Sequence, residues 1–158
     1  MRHVSLPGRI LAGLAVLCLG AAAVLPASAA PDFKDRSEID DRYKWDLEDI
    51  YATDEAWETD FERLEAMLPT MAAIEGKLST GTRLLGALDF RDRMNNLYER
   101  LLVFASMRHD EDTRVEHYTA LRTRIQSLGV KRNAALSWME PEILALGRES
   151  VMAIMGDT

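Results

Sequence analysis

Apolar residues recur at helical rather than strand spacing through most of the chain. Trp57, Phe61, Leu64, Leu68, Met71, Ile74 and Leu78 step by four, three, four, three, three and four. That spacing predicts one apolar face on a helix from about Asp54 to Leu78. Thr53 or Asp54 is placed to cap its start, with Asp54 and Glu55 near the positive end of the helix dipole. Pro69 lies inside the stripe. It removes one backbone bond and is expected to kink or divide the helix. Ser79 to Thr82 reads as a turn and N-cap region. A second helix is predicted from about Arg83 to His109, with Leu84, Leu88, Met94, Leu97, Leu101 and Phe104 as its main stripe. Arg91, Asp92, Arg93, Glu99 and Arg100 supply its solvated face.

The acidic run from Asp110 to Asp112 interrupts this pattern, and Thr113 to Glu116 has the spacing of a capping box. Beyond it, Val115, Tyr118, Leu121, Ile125, Leu128, Arg132, Ala135 and Met139 fall on one face of a third helix. Arg132 alone breaks its apolar character, and its stem can pack while its head stays in water. Pro141 suits the first turn of a new helix, begun by Ile143, Leu144 and Leu146. Gly147 is a candidate interruption before Val151, Met152, Ile154 and Met155. The expected fold is all-α: antiparallel hairpins or a bundle of about four helices over residues 53–158.

The N-terminus reads as an export signal. Arg2, His3 and Arg9 form a basic head, Ile10 to Leu25 is a 16-residue uncharged apolar run, and Ala27-Ser28-Ala29 supplies small residues for cleavage. The run is shorter than the roughly 20 residues that cross a bilayer core. Residues 1–29 are therefore expected to be a cleaved signal peptide that leaves no stable membrane anchor, and the product to be exported, periplasmic or secreted. Residues 30–52 form an extended or irregular lead-in, charged and poor in apolar residues over 31–41. Cleavage would discard Cys18, the single cysteine, and lower the net charge from −7 to −9. An acidic surface disfavours phosphate backbones, so nucleic acid is not an expected partner.

Candidate chemistry is sparse. The histidines are His3, His109 and His117; no two are four residues apart, and none is followed by Glu. A His-Glu-x-x-His zinc helix is therefore absent from the sequence. His109, the acids Asp110, Glu111 and Asp112, and His117 could gather around a metal, or form a solvated turn that favours the next helix start. Trp45, Asp46 and Trp57 could offer an aromatic peptide surface, or fasten the lead-in to the bundle with Trp57 in the core. Thr113 and Glu116 could be a hydrolytic pair, but their spacing already has a capping role. No catalytic, cofactor-binding or metal residue is assigned to this chain.

The segment Tyr43 to Tyr51 (YKWDLEDIY) resembles the N-terminal signature of the oligoendopeptidase F group of M3 peptidases. Val103 to Met107, Asp110 to Arg114 leading to Leu121, and Met139 to Leu146 resemble the same group, in the same order. The resemblance implies an all-helical zinc endopeptidase acting on short peptides, whose N-terminal helices wall a deep substrate channel. Hydrolysis there would be metal-assisted, with the zinc motif far downstream of the matching segment. Zinc is expected only for a full-length member, and no zinc or catalytic position maps onto this chain. The implied partners are the remainder of the peptidase and, in the full-length protein, short peptides. Two alternatives stay open: a free-standing periplasmic helical binding or assembly protein, and a pseudo-enzyme that binds peptides without cutting them.

Overall fold

The computed structural model describes residues 36–156, and the expected signal peptide lies outside them. Two short 3-10 turns, Arg36–Glu38 and Asp41–Tyr43, precede helices α1 (Asp54–Ala72), α2 (Gly81–Glu111), α3 (Glu116–Leu136), α4 (Met139–Leu146) and α5 (Arg148–Gly156). No strand occurs among the described residues, and the fold is an all-α bundle. None of the described helices is long and apolar enough to cross a membrane.

Side-chain partners fix the helix directions. Trp57, early in α1, donates its indole N–H to the carbonyl of Leu101, late in α2, at 3.0 Å. Those two helices therefore run antiparallel. Arg108 and Tyr118, near the shared corner of α2 and α3, form a cation–π contact with the guanidinium 5.8 Å from the ring centroid. Further along, Tyr98 of α2 lies against Gly129 of α3, so α3 turns back along α2. Consequently α1 and α3 run parallel, and a ladder of polar side-chain pairs follows their common direction: Asp54 with His117, and the ion pairs of Glu58 with Arg124 and Glu65 with Lys131. The partners on α3 recur every seven residues, the spacing that returns a helix to the same face.

The core is one cluster running from Leu47 to Met139, with Trp57, Leu64, Met71, Met94, Leu101, Phe104 and Ile125 fully buried. Nearly all of the predicted stripes supply it. Leu47 and Tyr51 come from the lead-in rather than from a helix, and they fasten it to the bundle. Tyr51 meets Phe104 edge-on at 5.4 Å and donates its hydroxyl to Asp60 at 2.9 Å. Arg36 ties the start of the described chain to Glu111 at the end of α2.

Four local expectations need correction. Helix α1 runs through Pro69 and stops at Ala72 instead of reaching Leu78. Pro69 leaves the last turn one bond short, and Gly76, at φ 76°, then turns the chain in a conformation costly for other residues. Leu78 still enters the core, but from a loop. Helix α2 passes His109 and ends at Glu111, whose carboxylate Arg108 holds from one turn back at 3.4 Å.

The Thr113–Glu116 capping box does not form. Val115 occupies the N-cap position of α3 without a side-chain bond. Asp112 instead turns the corner by accepting from the Arg114 backbone N–H at 3.0 Å and from its guanidinium at 2.8 and 2.7 Å. That guanidinium holds the Asp112 carboxyl down at about 2. The predicted third stripe also overruns its helix. Helix α3 ends at Leu136, and Met139 packs into the core as the first residue of α4. As expected, Pro141 lies in the first turn of α4, and Gly147, at φ 74°, separates α4 from α5.

Candidate functional site

The histidines and acids of the α2–α3 corner do not converge. Arg122 and Asp110 both approach His109 Nδ1, at 2.9 and 3.0 Å. His117 turns away to α1, where its Nε2 lies 2.9 Å from Asp54. Glu111 is engaged by Arg36 and Arg108, and Asp112 by Arg114. Each donor thus has a different partner in a different direction. The described residues include no group of three or more His, Cys, Asp or Glu side chains placed to hold a metal ion. This donor set does not fit the zinc that the family resemblance implies.

The aromatic candidates separate in the same way. Trp57 is wholly buried and stacks on Phe61 at 5.1 Å. Arg124 lies 4.5 Å from the Phe61 centroid and 5.4 Å from that of Trp57, covering the pair from α3. Trp45 stays half exposed, and Asp46 accepts from the backbone N–H of Glu48 at 3.2 Å, shaping its own turn. Thr113 is solvent-exposed, and Glu116 opens α3.

Two surface grooves are better defined than any of these clusters. The first, of about 260 Å³, lies between the start of α2 and the last two helices. Its lining is Leu84, Leu85, Leu88, Ile143, Val151 and Ile154, together with Gly81. Around the same end of the bundle, Leu85, Leu144 and Met152 are 52 %, 71 % and 60 % exposed. Apolar surface of this kind is characteristic of an interaction site.

The second groove, between α1 and α2, is lined by arginines. Arg93 and Arg100 fall on the α2 face placed in solvent by the sequence pattern, and both reach this groove. Their spacing with Asn96, at positions i, i+3 and i+7, was a legible signal for a shared helix face.

Glu142 is a structural residue that the sequence pattern did not reveal. Its carboxylate accepts from the backbone N–H groups of Gly76, at 2.7 Å, and Leu78, at 3.0 Å. It thereby joins α4 to the loop between α1 and α2.

Comparison with known proteins gives a consistent set of relatives. The chain is 32% identical over 123 residues to "Oligopeptidase PepF" of Bacillus subtilis, a match covering 77% of this chain and 18% of the relative. It is 31% identical over 121 residues to "Group B oligopeptidase PepB" of Streptococcus agalactiae, covering 76% and 20%. With the plasmid "Oligoendopeptidase F" of Lactococcus lactis subsp. cremoris it shares 30% over 126 residues, covering 78% and 21%. No family model and no solved structure matches the chain. The chain spans about a fifth of the length of these curated relatives. Over roughly three-quarters of its own length, it is a homologue of the oligoendopeptidase F peptidases.

Proposed function

We propose that the chain is an N-terminal scaffold segment of an exported, oligoendopeptidase F-like zinc metallopeptidase that hydrolyses short peptides. Its helices would form part of the substrate-channel wall, and the catalytic centre would be carried by other residues. The observation carrying this proposal is homology to peptidases about four times as long, on a chain whose described histidines, His109 and His117, have separate, non-metal partners. The apolar groove bounded by α2, α4 and α5 adds support, because a protein wall could cover it. By itself the chain is proposed to be inactive.

The test is the intact mass of the cellular product, with peptidase assays on the 158-residue chain. A longer polypeptide bearing a His-Glu-x-x-His segment is expected, together with no cleavage by the 158-residue chain. Metal-dependent cleavage by that chain alone would refute the inactivity. A stable cellular product no longer than residues 30–158 would defeat the scaffold proposal. It would favour a free-standing helical binding protein, a second reading that draws on the bundle's closed core.

A further inference from the structure

The arginine-lined groove between α1 and α2 has a volume of about 410 Å³. Arg63 lines it from α1, and Arg93, Asn96 and Arg100 from α2; Met67, Phe90 and Leu97 supply apolar surface. Three arginines thus line one groove on a chain whose net charge is −7.

The existing partners of these arginines leave much of their bonding capacity unused. Arg63 has a loose ion pair with Asp60 at 3.7 Å, and Asp60 also receives the Tyr51 hydroxyl. Arg100 gives one N–H to the Ile50 carbonyl at 3.1 Å and lies over the Tyr51 ring at 4.9 Å. Arg93 lies over the Phe90 ring, 5.6 Å from its centroid, as its interaction among the described residues. A guanidinium carries five N–H donors in a planar fork suited to a two-oxygen anion.

We propose that this groove binds the terminal carboxylate of a short peptide, with the last apolar side chain resting on Met67, Phe90 and Leu97. The carboxylate matches the guanidinium forks, and the neighbouring side chain matches the apolar surface. A free phosphate would use only the first of these features. The peptide identity of the ligand rests on the proposed peptidase role; the groove's affinity for a carboxylate beside an apolar group rests on its own lining.

The test is an amide NMR titration of the 158-residue chain with N-acetyl-Ala-Ala-Leu, its C-terminal amide and inorganic phosphate. The free acid is expected to shift resonances over residues 60–67 and 90–100. The amide should bind about tenfold more weakly, the change expected when a charge-assisted contact worth about 1.4 kcal/mol is removed. Arg93→Gln should produce a similar loss, and Arg93→Lys a smaller one because it retains charge without the fork. Spectral dispersion reports directly whether each variant is folded.

Equal binding of acid and amide, or no groove shifts at millimolar peptide, would overturn the proposal. Phosphate binding as tightly as the free acid would identify a simple anion site and overturn the peptide assignment. Shifts confined to another surface would leave peptide handling intact while removing this groove from it. Because the titration reads this chain alone, a short cellular product would defeat the peptidase proposal without deciding the groove's outcome.

Discussion

At the level of single residues, Gly129 and Tyr51 each meet a close neighbour within the bundle. Gly129 is buried where α3 crosses Tyr98. A Cβ there would meet the tyrosine hydroxyl at 2.5 Å and two ring carbons at 2.9 Å. Arg132 lies over the same ring at 4.2 Å. Replacing glycine in a helix by alanine ordinarily gains about 1 kcal/mol. Here crowding should cost roughly 1–3 kcal/mol and outweigh that gain. Gly129→Ala is therefore expected to lower the midpoint of urea unfolding, and Tyr98→Leu in the same chain to recover part of the loss. An unchanged or raised midpoint would show that the ring moves aside without cost.

Tyr51 provides the contrasting case of a polar group inside the core. Burial, then the hydrogen bond that its hydroxyl donates to the Asp60 carboxylate, pushes the phenol well above its ordinary range. Above an ordinary phenol value of about 10, an unfolded chain has released the proton while the folded chain retains it. Stability from this group is fully present below that pH and declines as pH rises toward the folded value. Tyr51→Phe should cost about 1 kcal/mol at neutral pH, the net worth of a typical hydrogen bond. It should also make the decline between pH 9 and 11 shallower, as followed by urea melts across that range. Parallel declines in the two proteins would exclude the phenol as their source.

On the scale of whole elements, long periodic stripes were legible while their ends were not. Trp57, Phe61, Leu64 and Met71 reached the core as the period required. The same stripe continued through Ile74 and Leu78 even though the helix had ended, because a loop residue can fill a core position too. The corner after α2 was misread for a related reason. Asp112 and Thr113 are both suited to turning a chain, and the bidentate reach of Arg114 gives the corner to Asp112.

Glu142 was hidden because its two backbone partners lie 66 and 64 residues away, beyond any local pattern. Glu142→Ala should leave two loop N–H groups without their charged acceptor and destabilise the chain by about 1–2 kcal/mol. Amide exchange should accelerate first at Gly76 and Leu78. Uniform acceleration throughout the bundle would instead assign Glu142 to global stability.

For the molecule as a whole, helical class and approximate element order follow from apolar periodicity, because one bundle core uses nearly all of the stripes. The grooves were harder to read, since each depends on two or more elements coming together. Arg63 joins Arg93 and Arg100 only through the α1–α2 crossing. Leu85 meets Ile143 and Val151 only after α4 and α5 fold back. Conversely, proximity in sequence did not make a site of His109 and His117, because the α2–α3 corner points them toward different neighbours.

The Glu142 clasp also imposes an order on a chain that is synthesised from its N-terminus. Until α4 is in place, the backbone N–H groups of Gly76 and Leu78 lack this carboxylate acceptor. Their distant carboxylate partner is made only after α3 has followed. The loop between α1 and α2 therefore gains this clasp only when α4 docks against it.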